Sequence, residues 1–169
     1  MLPVEGVANG ALVLSDKLLL NMNADILNYR LRPKVDWSRN LDELFGDKLD
    51  YFVLFSSLAT VADNAGQFNY HAANIFMAGL AANRRAGGLP AFVTHVGVVA
   101  DAGSVTRQSH QLLEHLRIMP TSESDAHQLF TEAVLASPPN SRLPSDICMG
   151  LEPFLDGPDD AELLRLYVS

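Results

Sequence analysis

At 169 residues the chain has the size of one ordinary domain and is long enough to bury a core of its own. Hydrophobic residues make up 48% and charged residues 19%, a composition that is neither disordered nor membrane-like, and the net charge of −8 opposes binding to a phosphate backbone. Neither nucleic acid nor a membrane is expected as a partner. The apolar opening, residues 1–22, is interrupted by Ser15-Asp16-Lys17 and has no basic segment before a small-residue cleavage site, so it reads as neither a signal peptide nor a span. The single cysteine, Cys148, has no partner for an internal disulfide, which fits a reducing, cytoplasmic setting.

Val4 to Ala8 is a short apolar run broken by Gly6 and followed by Asn9-Gly10, which suits a buried strand ending in a loop. Asn23 is a natural N-cap for a helix through Ile26 and Leu27. The helical pattern resumes after Pro33 with Val35, Leu41, Leu44 and Phe45 before Gly46 stops it, so Lys34 stands at a helix start or a kink. Tyr51-Phe52-Val53-Leu54-Phe55 is an uninterrupted apolar run, too short for a helix and typical of a parallel strand covered on both faces, with Ser56-Ser57 at its carboxyl end.

Asp63-Asn64-Ala65-Gly66 reads as loop, and Phe68 to Arg85 carries the strongest helical signal, closed by Gly87-Gly88-Leu89-Pro90. Ala91 to Val96 is the next strand, with Gly97 at its end. Ser122 and Asp125 open a helix in the manner of a capping box, followed by Ala126, Leu129, Phe130, Ala133 and Val134 at helical spacing. Asp146 to Leu151, around Cys148, reads as a short buried final strand, and the acidic residues 156–169 as a tail. Strands alternating with helices predict an α/β fold, a parallel sheet with helices on both faces, in which ligands gather beyond the carboxyl ends of the strands. Asn9, Ser57 and Gly97 all fall at such ends.

The stretch Phe68-Asn69-Tyr70-His71-Ala72-Ala73-Asn74 places Tyr70 and Asn74 one turn apart on a single helix face. A buried tyrosine there, with a serine at the end of a neighbouring strand, can hold and protonate a carbonyl oxygen. Taken singly, each of these residues has a plain structural role: a half-buried packing tyrosine, a surface asparagine, a solvated lysine, a turn serine. Their ordered occurrence at ligand-facing places favours a site.

Lys34 in Leu31-Arg32-Pro33-Lys34-Val35-Asp36, Ser57 in Phe52-Val53-Leu54-Phe55-Ser56-Ser57, and Tyr70 and Asn74 in Gly66 to Asn74 resemble the ketoreductase domain of polyketide synthases, in the short-chain dehydrogenase/reductase superfamily. Most of that superfamily has lysine four residues after the tyrosine. These ketoreductases place asparagine there and bring the lysine from an earlier helix, as here. The likeness extends through Arg84 to Ala91 and, more loosely, to Gly150. Gly6 to Ala11 and Leu116-Arg117-Ile118-Met119-Pro120 look most like fungal highly reducing synthases and polyketide synthase–peptide synthetase hybrids.

The resemblance implies a partial Rossmann-like sheet: residues 1–155 correspond to the carboxyl-terminal catalytic part of a ketoreductase, without the first βαβ units and their Gly-x-Gly-x-x-Gly loop. It implies reduction of a β-ketoacyl thioester, tethered to an acyl carrier protein, by NADPH, with the rest of a synthase as partner. Tyr70 would be the proton donor, Ser57 a hydrogen-bond donor to the substrate oxygen, and Lys34 the cation favouring phenolate. Asn74 would hold the lysine or a water. Asn9, Gly10 and Ala11 would border the cofactor, and Gly97 and Val98 would let backbone approach the nicotinamide amide. NADPH binding by this chain alone is not implied, because the glycine loop is not among its residues.

Metal chemistry is poorly supported, since His110 and His115 are five apart rather than stacked on one helix face. A serine hydrolase lacks its Gly-x-Ser-x-Gly elbow. A reading from another class stays open: a truncated, catalytically silent ketoreductase remnant or interaction module. Tight NADPH binding separates the two.

Overall fold

A computed structural model describes residues 3–13, 18–60, 66–99 and 118–151. The expected loop at Asp63-Asn64-Ala65, His110 and His115, Leu116-Arg117 and the acidic tail lie outside them. Four strands, β1 (Gly6–Asn9), β2 (Tyr51–Ser57), β3 (Phe92–Val96) and β4 (Asp146–Cys148), form one sheet in the order β1-β2-β3-β4. Every pairing is parallel, with Asn9 beside Leu54, Ser56 beside His95 and Ser57 beside Val96. The carboxyl ends therefore all lie on one side of the sheet.

The helices are α1 (Ala24–Leu31), α2 (Asp36–Phe45), α3 (Phe68–Ala86) and α4 (Glu123–Ala136), and single 3₁₀ turns cover Leu19–Asn21 and Leu58–Thr60. Successive side chains of β2 face opposite ways, which divides the core in two. Phe52 and Leu54 pack with Val7, Leu49, Met77 and Ala81, and Leu41 and Phe45 of α2 lie against them. Val53 packs with Phe92, Ala133 and Ala136, alongside Phe55, whose ring stacks on Phe130 of α4 at 5.8 Å. Helices thus cover both faces, and this is why β2 is apolar at every position from 51 to 55.

Local chemistry sets the helix ends. The Asn23 side chain accepts from the Ile26 N–H, and Gly46 ends α2 in the left-handed region that glycine occupies freely. Ser122 and Asp125 make the expected reciprocal capping box; the bonds from the Ser122 backbone and hydroxyl hold the Asp125 carboxyl below its ordinary pKa. Two elements differ from expectation. The first strand begins at Gly6, not Val4, and runs through Asn9; at Gly6 the Tyr51 ring lies where a β-carbon would stand. The last strand ends at Cys148 and is not buried: β4 is an edge strand, Asp146 and Ile147 are exposed, and Leu151 instead bridges antiparallel to Ile118. No helix among the described residues is long and apolar enough to cross a membrane.

Two consecutive arginines fasten the end of α3. The Arg84 guanidinium, almost wholly buried, pairs with Asp42, donates to the carbonyls of Pro90 (3.0 Å) and Gly46 (2.9 Å), and lies 4.4 Å from the Phe52 ring centroid. Arg85 donates to the carbonyls of Ala136, Ser141, Leu143 and Pro144 at 2.8–3.3 Å. Arg84→Met is expected to destabilise the fold by roughly 3 kcal/mol, because it leaves a carboxylate and two carbonyls without their donor. Urea unfolding of parent and variant measures this.

Candidate active site

The site starts from a tether between β1 and the turn, residues 32–35, that joins α1 to α2. Asn9 is buried; its Nδ2 donates to the Pro33 carbonyl (3.2 Å) and the Ser38 hydroxyl (2.9 Å), and its Oδ1 accepts from the Ala11 N–H (3.0 Å). The turn so held carries Lys34 inward. Its side chain reaches β2, where Nζ donates to the Phe55 carbonyl at 2.6 Å and stands 5.7 Å from the centroid of the Tyr70 ring. Lys34 is only 5% exposed, and burial pushes its pKa from 10.5 down to about 8. At neutral pH the ammonium is still mostly charged.

A cavity of about 350 Å³, within the range of small-molecule sites, opens beyond the ends of β1, β2 and β3. Gly10, Lys34, Ser57, Tyr70 and Gly97 all line it, together with Leu12, Phe55, Ser56 and Val96. Three of the four residues expected to act together therefore share one opening. Tyr70 is half-buried, not buried, because its side chain forms part of the wall.

Asn74 is placed differently. It is fully buried behind the wall, where Nδ2 donates to the Tyr70 carbonyl at 2.9 Å, while Oδ1 has no partner among the described residues. It holds the backbone of the tyrosine and makes no direct bond to Lys34 among the described residues. The Ser57 oxygen accepts from the Ala59 N–H at 3.2 Å, which leaves the hydroxyl proton free for another acceptor. At the neighbouring strand end, Gly97 is a close approach: a β-carbon there would come within 2.9 Å of the Met149 carbonyl. Val98 is occupied by the chain itself, its carbonyl accepting from the Thr121 N–H and hydroxyl. Among the described residues no three His, Cys, Asp or Glu side chains come together as a metal site would require.

One polar lining residue was not singled out from sequence. Ser56 is buried and lines the cavity, and its hydroxyl has no hydrogen-bond partner among the described residues. The Ser-Ser pair carried that signal, but strand alternation sends only one of two neighbours to a given face, and nothing in the pattern marked both as lining.

A parallel sheet flanked by helices on both faces, with a cleft across the strand ends, defines a Rossmann-like α/β domain. The chain is similar to a solved structure of A-type ketoreductases from a modular polyketide synthase: TM-score 0.76, 27% identity, 89% of this chain and 31% of that one. A ketoreductase from the first module of phoslactomycin biosynthesis in Streptomyces sp. HK803 gives a TM-score of 0.72 at 31% identity, over 86% of this chain and 33% of that one. The family model for the KR domain matches residues 1–101, and the chain belongs to that family, the ketoreductase domains of polyketide synthases.

Among curated proteins, the chain is 55% identical over 160 residues to the hybrid PKS-NRPS synthetase lepA of Aspergillus flavus, covering 92% of this chain. It is 46% identical over 159 residues to the highly reducing polyketide synthase ACTTS3 of Alternaria alternata, again over 92% of this chain. The chain spans 4% and 6% of the lengths of those two relatives.

The buried lysine gives a pH test of the fold. Because its folded pKa of about 8 lies below the free value of 10.5, the cost of burying the charge is fully present below about pH 8 and is relieved as pH rises toward 10.5. Relative to Lys34→Met, the parent is expected to gain on the order of 3 kcal/mol across that window. Urea unfolding of both proteins at about pH 7 and about pH 10 measures the difference.

Proposed function

We propose that the chain is the catalytic part of a reductase that converts a β-ketoacyl thioester to a β-hydroxyacyl thioester during polyketide synthesis, using NADPH. The observation that carries this is the meeting of Lys34, Ser57 and Tyr70 around one cavity at the carboxyl ends of parallel strands. The substrate is taken as an acyl chain tethered to an acyl carrier protein, presented by the remainder of a large synthase.

The residues present fit the nicotinamide end of the cofactor. Gly10 and Gly97 both line the cavity, and their bare backbone would leave room there for a nicotinamide. When bound, NADPH supplies the hydride. Residues 1–169 contain no Gly-x-Gly-x-x-Gly loop of the kind that cradles a dinucleotide pyrophosphate.

The chain's own part is to hold and protonate the oxygen. The Ser57 hydroxyl, already accepting from Ala59, has its proton left to donate to the substrate oxygen, where negative charge develops. Tyr70 gives up its phenolic proton to the same atom. Lys34, fixed on the Phe55 carbonyl and facing the tyrosine ring, supplies the positive charge that makes the departing proton less costly. Asn74 keeps the Tyr70 backbone from shifting as this happens.

The test uses the domain completed by an upstream glycine-rich half, assayed for NADPH oxidation with a β-ketoacyl thioester. Tyr70→Phe is expected to abolish turnover while leaving NADPH binding intact, and Ser57→Ala to lower kcat about a hundredfold. The rate should fall above about pH 8, as Lys34 loses its proton. Retained turnover in Tyr70→Phe would remove its role as acid. Absence of saturable NADPH binding by the completed domain would favour the silent remnant.

A further inference from the structure

Behind the cavity, the ends of β2, β3 and β4 carry a continuous line of hydrogen bonds. The Thr60 hydroxyl donates to the Ser57 carbonyl at 2.8 Å and lies 2.9 Å from His95 Nδ1; His95 Nε2 lies 3.1 Å from a carboxylate oxygen of Asp146. The His95 side chain is 8% exposed and that of Asp146 48%, so the line runs from the surface of edge strand β4 into the interior. None of the three residues lines the cavity. Ser57, which does, is gripped twice by one 3₁₀ turn: Thr60 holds its carbonyl, and the Ala59 N–H holds its hydroxyl oxygen.

Proton counting gives the line a direction. A hydroxyl has one proton, and a carbonyl can only accept, so the Thr60 proton is given to Ser57, and the Thr60 oxygen is in hydrogen-bond contact with His95 Nδ1 as well. At its other nitrogen the ring faces the Asp146 carboxylate, so both ring nitrogens have a polar partner. Each buried polar atom along the line is then satisfied, as burial requires. The turn is a single 3₁₀ turn, a geometry with weaker hydrogen bonds than an α-helix, and the bonds from Thr60 and Ala59 to Ser57 brace it.

We propose that Asp146, His95 and Thr60 are positioning residues that fix the turn after β2 and so aim the Ser57 hydroxyl, as a donor, into the cavity. The catalytic consequence rests on the carbonyl-reduction reading; the positioning does not. Two readouts keep them apart.

In the full chain, amide hydrogen exchange at Ala59, followed by NMR, reports the turn without cofactor or substrate. Thr60→Val keeps the side chain's size but removes both bonds, and is expected to speed Ala59 exchange about tenfold. Amides of Val53 and Leu54 in the strand centre should be unchanged, and Thr60→Ser should stay within about threefold of the parent. His95→Phe should act like Thr60→Val; where it fails to fold, Thr60→Val carries the test. Unchanged Ala59 exchange in Thr60→Val would overturn the proposal.

In the completed reductase, Thr60→Val is expected to lower kcat about tenfold with little change in the KM for NADPH, restored by Thr60→Ser. In a Ser57→Ala background it should have no further effect, since its influence passes through Ser57. An undiminished tenfold loss in that background would overturn the link to Ser57. A completed parent that binds NADPH yet reduces no β-ketoacyl thioester would count against the proposed function, and the exchange measurement would still decide the positioning.

Discussion

The ammonium of Lys34 has to be accommodated inside the protein, and much of the local architecture follows from that. A buried cation needs a partner with partial negative charge, and here it is a main-chain carbonyl of the central strand, at Phe55. A carbonyl is fixed by the sheet and cannot turn away. The turn that carries the lysine is tied to β1 by Asn9, whose amide donates to Pro33 and Ser38. The sheet thus supplies both the acceptor and the tether.

This arrangement makes the site a property of strand register. Phe55 presents its carbonyl to Lys34, Ser56 and Ser57 follow immediately, and Ser57 lies beside Val96 with Gly97 next in line. A slip of one residue in β2 would exchange the faces of both serines and offer the ammonium a different carbonyl. The two-sided core resists that slip, because it would turn Phe52 and Leu54 toward α4 and Val53 toward α3.

Much of this was legible in the sequence. Parallel α/β architecture followed from the continuous apolar run 51–55 and the alternation of elements, and the helix ends at Asn23, Gly46 and Ser122 followed from capping chemistry. The lysine, serine and tyrosine were recognisable as a set, and they share one cavity. What the residues did not disclose was depth and direction. Spacing four apart put Tyr70 and Asn74 on one face but could not tell that one forms the wall while the other is fully buried behind it. Nor did the pattern around Cys148 reveal an outermost strand, because Ile-Cys-Met is as apolar at an edge as in a centre. The line from Asp146 through His95 to Thr60 joins residues far apart in the chain, and no local periodicity announces it.

Helix α3 divides its duties between its ends. Over 19 residues it runs about 28 Å, with Tyr70 in its first turn and Arg84 and Arg85 in its last. The far end is clamped to α2, to the approach to β3 and to the segment before β4, so it works as an anchored stem with a working tip. Reshaping the tip then need not loosen the stem, and a protein engineer has a cleft that can be remodelled at little expense to the fold that bears it.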